Sequence, residues 1–141
     1  MIVYLDTSAL VKLYVKEAGT KEVQGLIRES DAVAASWVAY AETRAAFARA
    51  VREKMTSPAR HQERLAQFNQ DWESVVRVEL LPLVARNAGE LAEIHGLRGF
   101  DAIHLASALW LRDKMGGSFG FAAFDQRLRS AAEQAGLRNL V

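Results

Sequence analysis

The sequence predicts an α/β sandwich built around a central, mostly parallel sheet. Three observations carry that expectation. Short apolar runs alternate with longer segments of helical periodicity along the chain. The runs at 2–5 and 119–124 are each followed at once by an Asp and then a helical segment, which is the junction of a βα unit. The stretch Ala102–Leu111 is apolar except for His104 and Ser107, the pattern of a central helix covered on all sides.

The elements follow in order. Ile2–Leu5 is too short for a helix and carries a β-branched pair, so it reads as a strand. Asp6-Thr7-Ser8 is a helix-start signal, Leu10, Leu13 and Tyr14 fall at helical spacing, and Gly19 is expected to close that helix. Val23, Leu26 and Ile27 mark a second short helix, and Ala32–Ala35 a second strand. Trp37–Lys54 lacks Gly and Pro and is rich in Ala, hence a long helix. Ser57-Pro58 supplies an N-cap and first helical residue for the next, with Leu65, Phe68, Trp72, Val75 and Val76 on its apolar face. Val78–Leu81 reads as a third strand ended by Pro82, and Val84, Ala88, Leu91 and Ala92 as a helix running to Gly96. After the apolar helix come a fourth strand at Phe119–Phe124 and an amphipathic helix through Leu128, Ala131, Ala132 and Ala135, with Gly136 as its C′ residue. Leu137–Val141 is expected to add a last strand.

A chain of 141 residues, half of it apolar, is expected to form one domain over 1–141 with a closed core. Disorder and low-complexity architecture are excluded as descriptions of the whole. The absence of Cys removes disulfides, thiolate zinc sites and a Cys nucleophile together, and points to the cytoplasm. The first residues have neither the basic region nor the long apolar core of a signal peptide, and no run approaches the ~20 apolar residues of a membrane span.

Four acids stand in unusual places. Asp6 and Asp125 each follow a strand, and in open parallel sheets ligands bind at the carboxyl ends of strands. Each can equally serve as a simple N-cap. Glu42 has Val38, Ala45 and Ala46 as its helical neighbours, a small-residue face rather than a polar one, although a lone Glu on a helix, here flanked by Tyr40 and Arg44, is ordinarily just solvated. Asp101 starts the most apolar helix, with His104 three residues on and on the same face. Capping or the helix dipole accounts for Asp101 without any function. His104 is open to a role as metal ligand or general base, but a packed, hydrogen-bonded neutral ring is the expected reading.

Gathering such acids is costly. Two unit charges ~4 Å apart repel by about 4 kcal/mol at an effective dielectric of ~20. A cluster persists only if some groups stay protonated or a cation lies among them. All-oxygen ligands favour Mg²⁺ or Mn²⁺, and such a site suits phosphodiester hydrolysis by metal-activated water. The 18 basic and 17 acidic residues nearly cancel, but setting those four acids aside leaves the remainder basic. Arg44, Arg49, Arg52, Lys54, Arg60 and Arg64 face only Glu53 and Glu63 in their stretch, a bias that suits a phosphate backbone and also describes an ordinary charged helix face.

At this point the residues resemble a known pattern. Val3-Tyr4-Leu5-Asp6-Thr7-Ser8-Ala9-Leu10 is similar to the opening motif of PIN-domain ribonucleases, in particular the VapC-type toxins of toxin–antitoxin pairs. Leu97-Arg98-Gly99-Phe100-Asp101-Ala102-Ile103-His104 resembles their central motif, Phe124-Asp125-Gln126-Arg127-Leu128 their last, and Ser36–Glu42 the segment with their conserved Glu. The resemblance implies a PIN-like α/β/α fold, with Asp6, Glu42, Asp101 and Asp125 as catalytic residues around Mg²⁺ or Mn²⁺. It implies endonucleolytic cleavage of tRNA or ribosomal RNA, leaving a 5′-phosphate. It gives Ser8 a supporting role beside Asp6, with Thr7 next to it. It implies a homodimer and a cognate antitoxin that fills the acidic groove. Tyr14, Trp37 and Trp110 are aromatics that either line such a dimer face or belong to the core. One departure is Ala123, where many members carry a hydroxyl residue that helps orient the last acid.

Two other readings remain open from sequence. One is a non-catalytic PIN-like module that binds RNA or protein. The other is a metal-dependent phosphatase with Asp6 as nucleophile, although Ser8 stands where such enzymes carry a second Asp.

Overall fold

The computed structural model describes residues 1–141 and has a four-stranded parallel sheet at its centre. Its strands are β1 (Ile2–Leu5), β2 (Ala32–Ser36), β3 (Val76–Val78) and β4 (Phe119–Ala122), in spatial order β3-β2-β1-β4. Seven helices cover it: α1 (Thr7–Val11), α2 (Thr20–Arg28), α3 (Trp37–Arg52), α4 (Pro58–Trp72), α5 (Pro82–His95), α6 (Gly99–Met115) and α7 (Gln126–Gln134). No helix is long and apolar enough to cross a membrane.

Both faces of the sheet are buried, which is why its strands read as continuous apolar runs. Side chains still alternate. Val3 and Leu5 of β1 pack with Ala9, Leu10, Phe47 and Phe68 on one side. Tyr4 packs with Leu105, Phe121 and Leu128 on the other. Ala34 and Ala35 divide in the same way, as do Phe121 and Ala122. α6 lies in the second layer against α5 and α7, with His104, Leu105, Ala106, Ser107 and Ala108 all buried, as its apolar composition requires.

The chain moves outward from β1 to β2 and β3, then crosses the sheet through α5 and α6 to place β4 on the far side of β1. The strand order therefore reverses between β1 and β4, where Leu5 pairs with Ala122. A crevice at the carboxyl ends of two such strands is the expected ligand position in this class of sheet.

Several boundaries differ from expectation. The first helix stops at Val11, and Gly19 instead starts α2 as its N-cap, at φ 91°. A Cβ there would come within 2.6 Å of the Phe124 ring, so Gly19 is required by close approach as well as by backbone conformation. Gly19→Ala is expected to lower stability by about 1–3 kcal/mol, read as a lower urea midpoint at unchanged m. The third strand is Val76–Val78 rather than 78–81, so Val75 and Val76 leave the helix face assigned to them. Register explains the shift: Val76 pairs with Ala34 and Val78 with Ser36, which buries Val78. The fourth strand ends at Ala122, and the tail contributes a single bridge from Asn139 to Phe121 instead of a strand. Among the aromatics, Tyr14 packs edge-on to Phe47 and Phe68, Trp110 is half-buried, and Trp37 is 43% exposed.

Candidate active site

Asp6 emerges where β1 ends, its N–H donating to Ala122 O at 3.1 Å. It caps α1 as well: Oδ1 accepts from Ala9 N–H at 2.9 Å and from Ser8 Oγ at 2.7 Å. Only 3% of the residue is exposed. Burial pushes its carboxyl above the usual range; His104 and the Ser8 and Ala9 hydrogen bonds offset only part of the rise, and the Asp101 charge adds a little to it.

Glu42 lies on the second turn of α3, which Ser36 caps at the end of β2. Its Oε1 accepts from Thr7 Oγ1 at 2.5 Å and lies 2.9 Å from His104 Nε2. Partial burial raises the Glu42 carboxyl, but the His104 and Thr7 hydrogen bonds outweigh it and the net direction is downward. Asp101 sits in the first turn of α6, while Arg98 occupies the cap position and places Nε 3.3 Å from Asp101 Oδ2. Asp125 caps α7, Oδ2 accepting from Leu128 N–H at 3.0 Å, and it is the most exposed of the four.

All four carboxylates, with Thr7, Ser8 and His104, line one cleft of about 340 Å³ at the carboxyl ends of β1, β2 and β4. Capping and site roles, which sequence sets in opposition, coincide in Asp6 and Asp125. In every one of the four the protein occupies one carboxylate oxygen and leaves the other without a protein partner. The acids do not close into a coordination shell by themselves: no three acidic or His side chains are grouped tightly enough to hold an ion. Each rests on its own protein donor.

The missing hydroxyl at Ala123 has a local answer. Ala123 is fully buried, its N–H donates to Asn139 Oδ1, and Asp125 is oriented by capping α7. Ser8 bridges the two acidic junctions, since its Oγ also accepts from Phe124 N–H at 3.4 Å.

Beyond Asp101 and Asp125 the cleft opens into a larger polar groove of about 870 Å³, flanked by Arg98 and Arg127. On the other side, past Ala46, Arg49 and Arg52 line a separate depression with Val11 and Met55. Arg44 lies over the Tyr40 ring, and Arg49 pairs with Glu53 at 2.8 Å. Sequence reasoning left three residues out of the site: Glu17 and Arg98, which line the cleft, and His104 as a direct partner of Glu42. For His104 the signal was present, as the only ionisable side chain in the apolar stretch of α6, three residues from Asp101.

The chain is similar to known proteins in family and fold. Residues 3–134 match the family model of the PIN domain. Ribonuclease VapC45 of Mycobacterium tuberculosis (strain CDC 1551 / Oshkosh) is 40% identical over 97% of this chain and 93% of its own length. Among solved structures, FitAcB from Neisseria gonorrhoeae superposes with a TM-score of 0.69 at 17% identity, covering 100% of this chain and 97% of that one. VapBC2 from Rickettsia felis, bound to a DNA fragment from its promoter, gives 0.66 at 16% identity, covering 99% and 97%. At those identities the structural likeness is one of fold.

Proposed function

The chain belongs to the PIN-domain family, in its VapC branch, and from that premise we propose that it is an endoribonuclease, the toxin of a toxin–antitoxin pair. The observation that carries this reading is the cleft in which four carboxylates each keep one oxygen free of protein donors. Hydrolysis of a phosphodiester needs oxygen donors of that kind, held rigidly and partly out of water.

The donor set fits Mg²⁺ or Mn²⁺: the four acids offer oxygen only, and Asp6 is a buried carboxylate with a second carboxylate, Asp101, near it. Asp6, Asp101, Glu42 and Asp125 would hold the ion. The ion supplies charge neutralisation and Lewis acidity towards a phosphate oxygen. The protein does the positioning. Ser8 fixes Asp6, Thr7 and His104 fix Glu42, and the α7 N-terminus fixes Asp125. An RNA strand, of the tRNA or ribosomal class, would run from the cleft along the groove beside Arg98 and Arg127. Arg44, Arg49 and Arg52 on α3 offer backbone contacts on the opposite side.

The antitoxin and a second copy of the chain are the expected protein partners, and the cytoplasm the expected compartment. Trp37 and Leu80 follow the paired ends of β2 and β3, and Leu83 lies in the first turn of α5; all are exposed and suit a dimer face. The 5′ ends of cellular RNA, sequenced after brief expression, test the activity. New ends confined to a few tRNA or ribosomal RNA positions are expected with the wild type and not with Asp6→Asn. Identical profiles would refute the reading.

A cation site that includes Asp6 must also depend on pH in one direction. Because the Asp6 carboxyl is raised, protons compete with the ion at higher pH than for an ordinary carboxylate. The rise in melting temperature produced by Mn²⁺ should therefore be larger near neutrality than in mild acid. A rise that is equal at both would remove Asp6 from the site.

A further inference from the structure

We propose that Tyr4 and His104 are positioning residues for Glu42: the Tyr4 hydroxyl fixes His104 in the tautomer whose Nε2–H donates to Glu42 Oε1, leaving Oε2 for the cation. In its second half this rests on the nuclease reading above; the tautomer itself does not.

The argument starts from proton accounting at Tyr4. Its hydroxyl oxygen accepts from Ser36 N–H at 3.1 Å, has the buried Ser107 hydroxyl beside it as a second donor, and lies 3.0 Å from His104 Nδ1. Tyr4 is fully buried, and burial holds the phenol in its protonated form. With the backbone N–H already directed at the oxygen, the phenolic proton is free to point to Nδ1. An imidazole that accepts at Nδ1 carries its own proton on Nε2. That nitrogen lies 2.9 Å from Glu42 Oε1 and 3.0 Å from Thr7 Oγ1, and Thr7 in turn donates to the same Oε1. Two donors thus converge on one oxygen of Glu42, and none from the protein reaches the other.

The ring is held in place as well as hydrogen-bonded. Tyr4 meets His104 edge-on at 6.0 Å between centroids and stacks on Phe121 at 5.8 Å. His104 is 1% exposed, so water does not substitute for either partner. β1 therefore serves the cleft twice on one face, directly through Asp6 and indirectly through Tyr4 two residues earlier. If His104 were only core filling, its tautomer would be irrelevant and the Tyr4 hydroxyl would matter to Ser36 and Ser107 alone.

The long-range ¹H–¹⁵N spectrum of the histidines tests this on the resting protein. The chain has three His, and the His104 signals are identified by their loss in His104→Gln. We expect a protonated Nε2 and a bare Nδ1, with the Nε2 proton moved by Glu42→Gln. Tyr4→Phe keeps the stacked ring but removes the hydroxyl. It should release the tautomer to exchange and weaken Mn²⁺ binding in calorimetry by about tenfold, the low end for loss of a group that orients a ligand. A proton on Nδ1, a doubly protonated ring, or a Tyr4→Phe protein with unchanged tautomer and unchanged Mn²⁺ affinity each overturns the proposal. Absence of Mn²⁺ uptake by the wild type would overturn the cation half and the nuclease reading's metal site together, whereas a wrong tautomer alone leaves that reading intact.

Discussion

Asp6→Asn is expected to lose RNA cleavage by roughly 10²–10³-fold or more while the metal-free protein melts no lower than wild type. Both halves come from the same side chain. Asn has the shape of Asp and is as good an N-cap, so it can still accept from Ala9 N–H and Ser8 Oγ. What disappears is a buried negative charge whose carboxyl is raised by burial and by Asp101. A carboxyl raised in the folded state binds its proton more tightly there than in the unfolded chain. Wild-type stability without metal is therefore lost as pH rises through that value, and the Asn protein has no such loss. The gap between the two should widen towards neutrality. Mn²⁺ should reverse the order, stabilising only the wild type. Cleavage within tenfold of wild type in a folded Asp6→Asn protein would take Asp6 out of the machinery. Asp101→Asn should behave alike in activity, with a smaller effect on stability because its partner Arg98 is largely exposed.

The largest stability effect is expected at Phe121→Ala, about 3–5 kcal/mol, a sizeable share of the 5–15 kcal/mol that holds a typical domain together. Phe121 is fully buried on β4, stacks on Tyr4, and receives the C-terminal tail through Leu140 N–H to Phe121 O at 2.8 Å. Truncation leaves a cavity in the larger core cluster next to the ring that holds His104. Urea unfolding should show a much lower midpoint. In the surviving folded fraction, the His104 resonances should broaden. A loss under about 1 kcal/mol would mean that the site relaxes to fill the void, contrary to the close packing seen there.

Much of the fold was readable because its signals are local. Asp6 and Asp125 stand at strand-to-helix junctions, Ser57-Pro58 starts α4, and Gly136 follows α7 at φ 81°, each set by a few adjacent residues. The misplaced boundaries come from signals that are not local. Where both sheet faces are buried, a run such as Phe119–Phe124 is apolar throughout, and periodicity does not mark where hydrogen bonding to the neighbour ends. Likewise Val75 and Val76 fit a helical stripe until pairing with β2 claims Val76. Gly19 reads as a stop or a start equally well, and the Phe124 ring, far along the chain, decides it.

The amino-acid order alone determined the layered α/β architecture, since strand, turn and cap preferences act over a handful of bonds, and its motifs singled out four acids that the fold brings into one cleft. Only the folded chain decided how those acids are held. The donors to Glu42 come from 35 and 62 residues away, and the Tyr4 hydroxyl meets His104 across 100. Which oxygen is occupied, which is free, and which nitrogen carries a proton are properties of contacts within about 3 Å. Such contacts exist only after hydrophobic burial has brought β1, α3 and α6 together, and no spacing along the sequence encodes them.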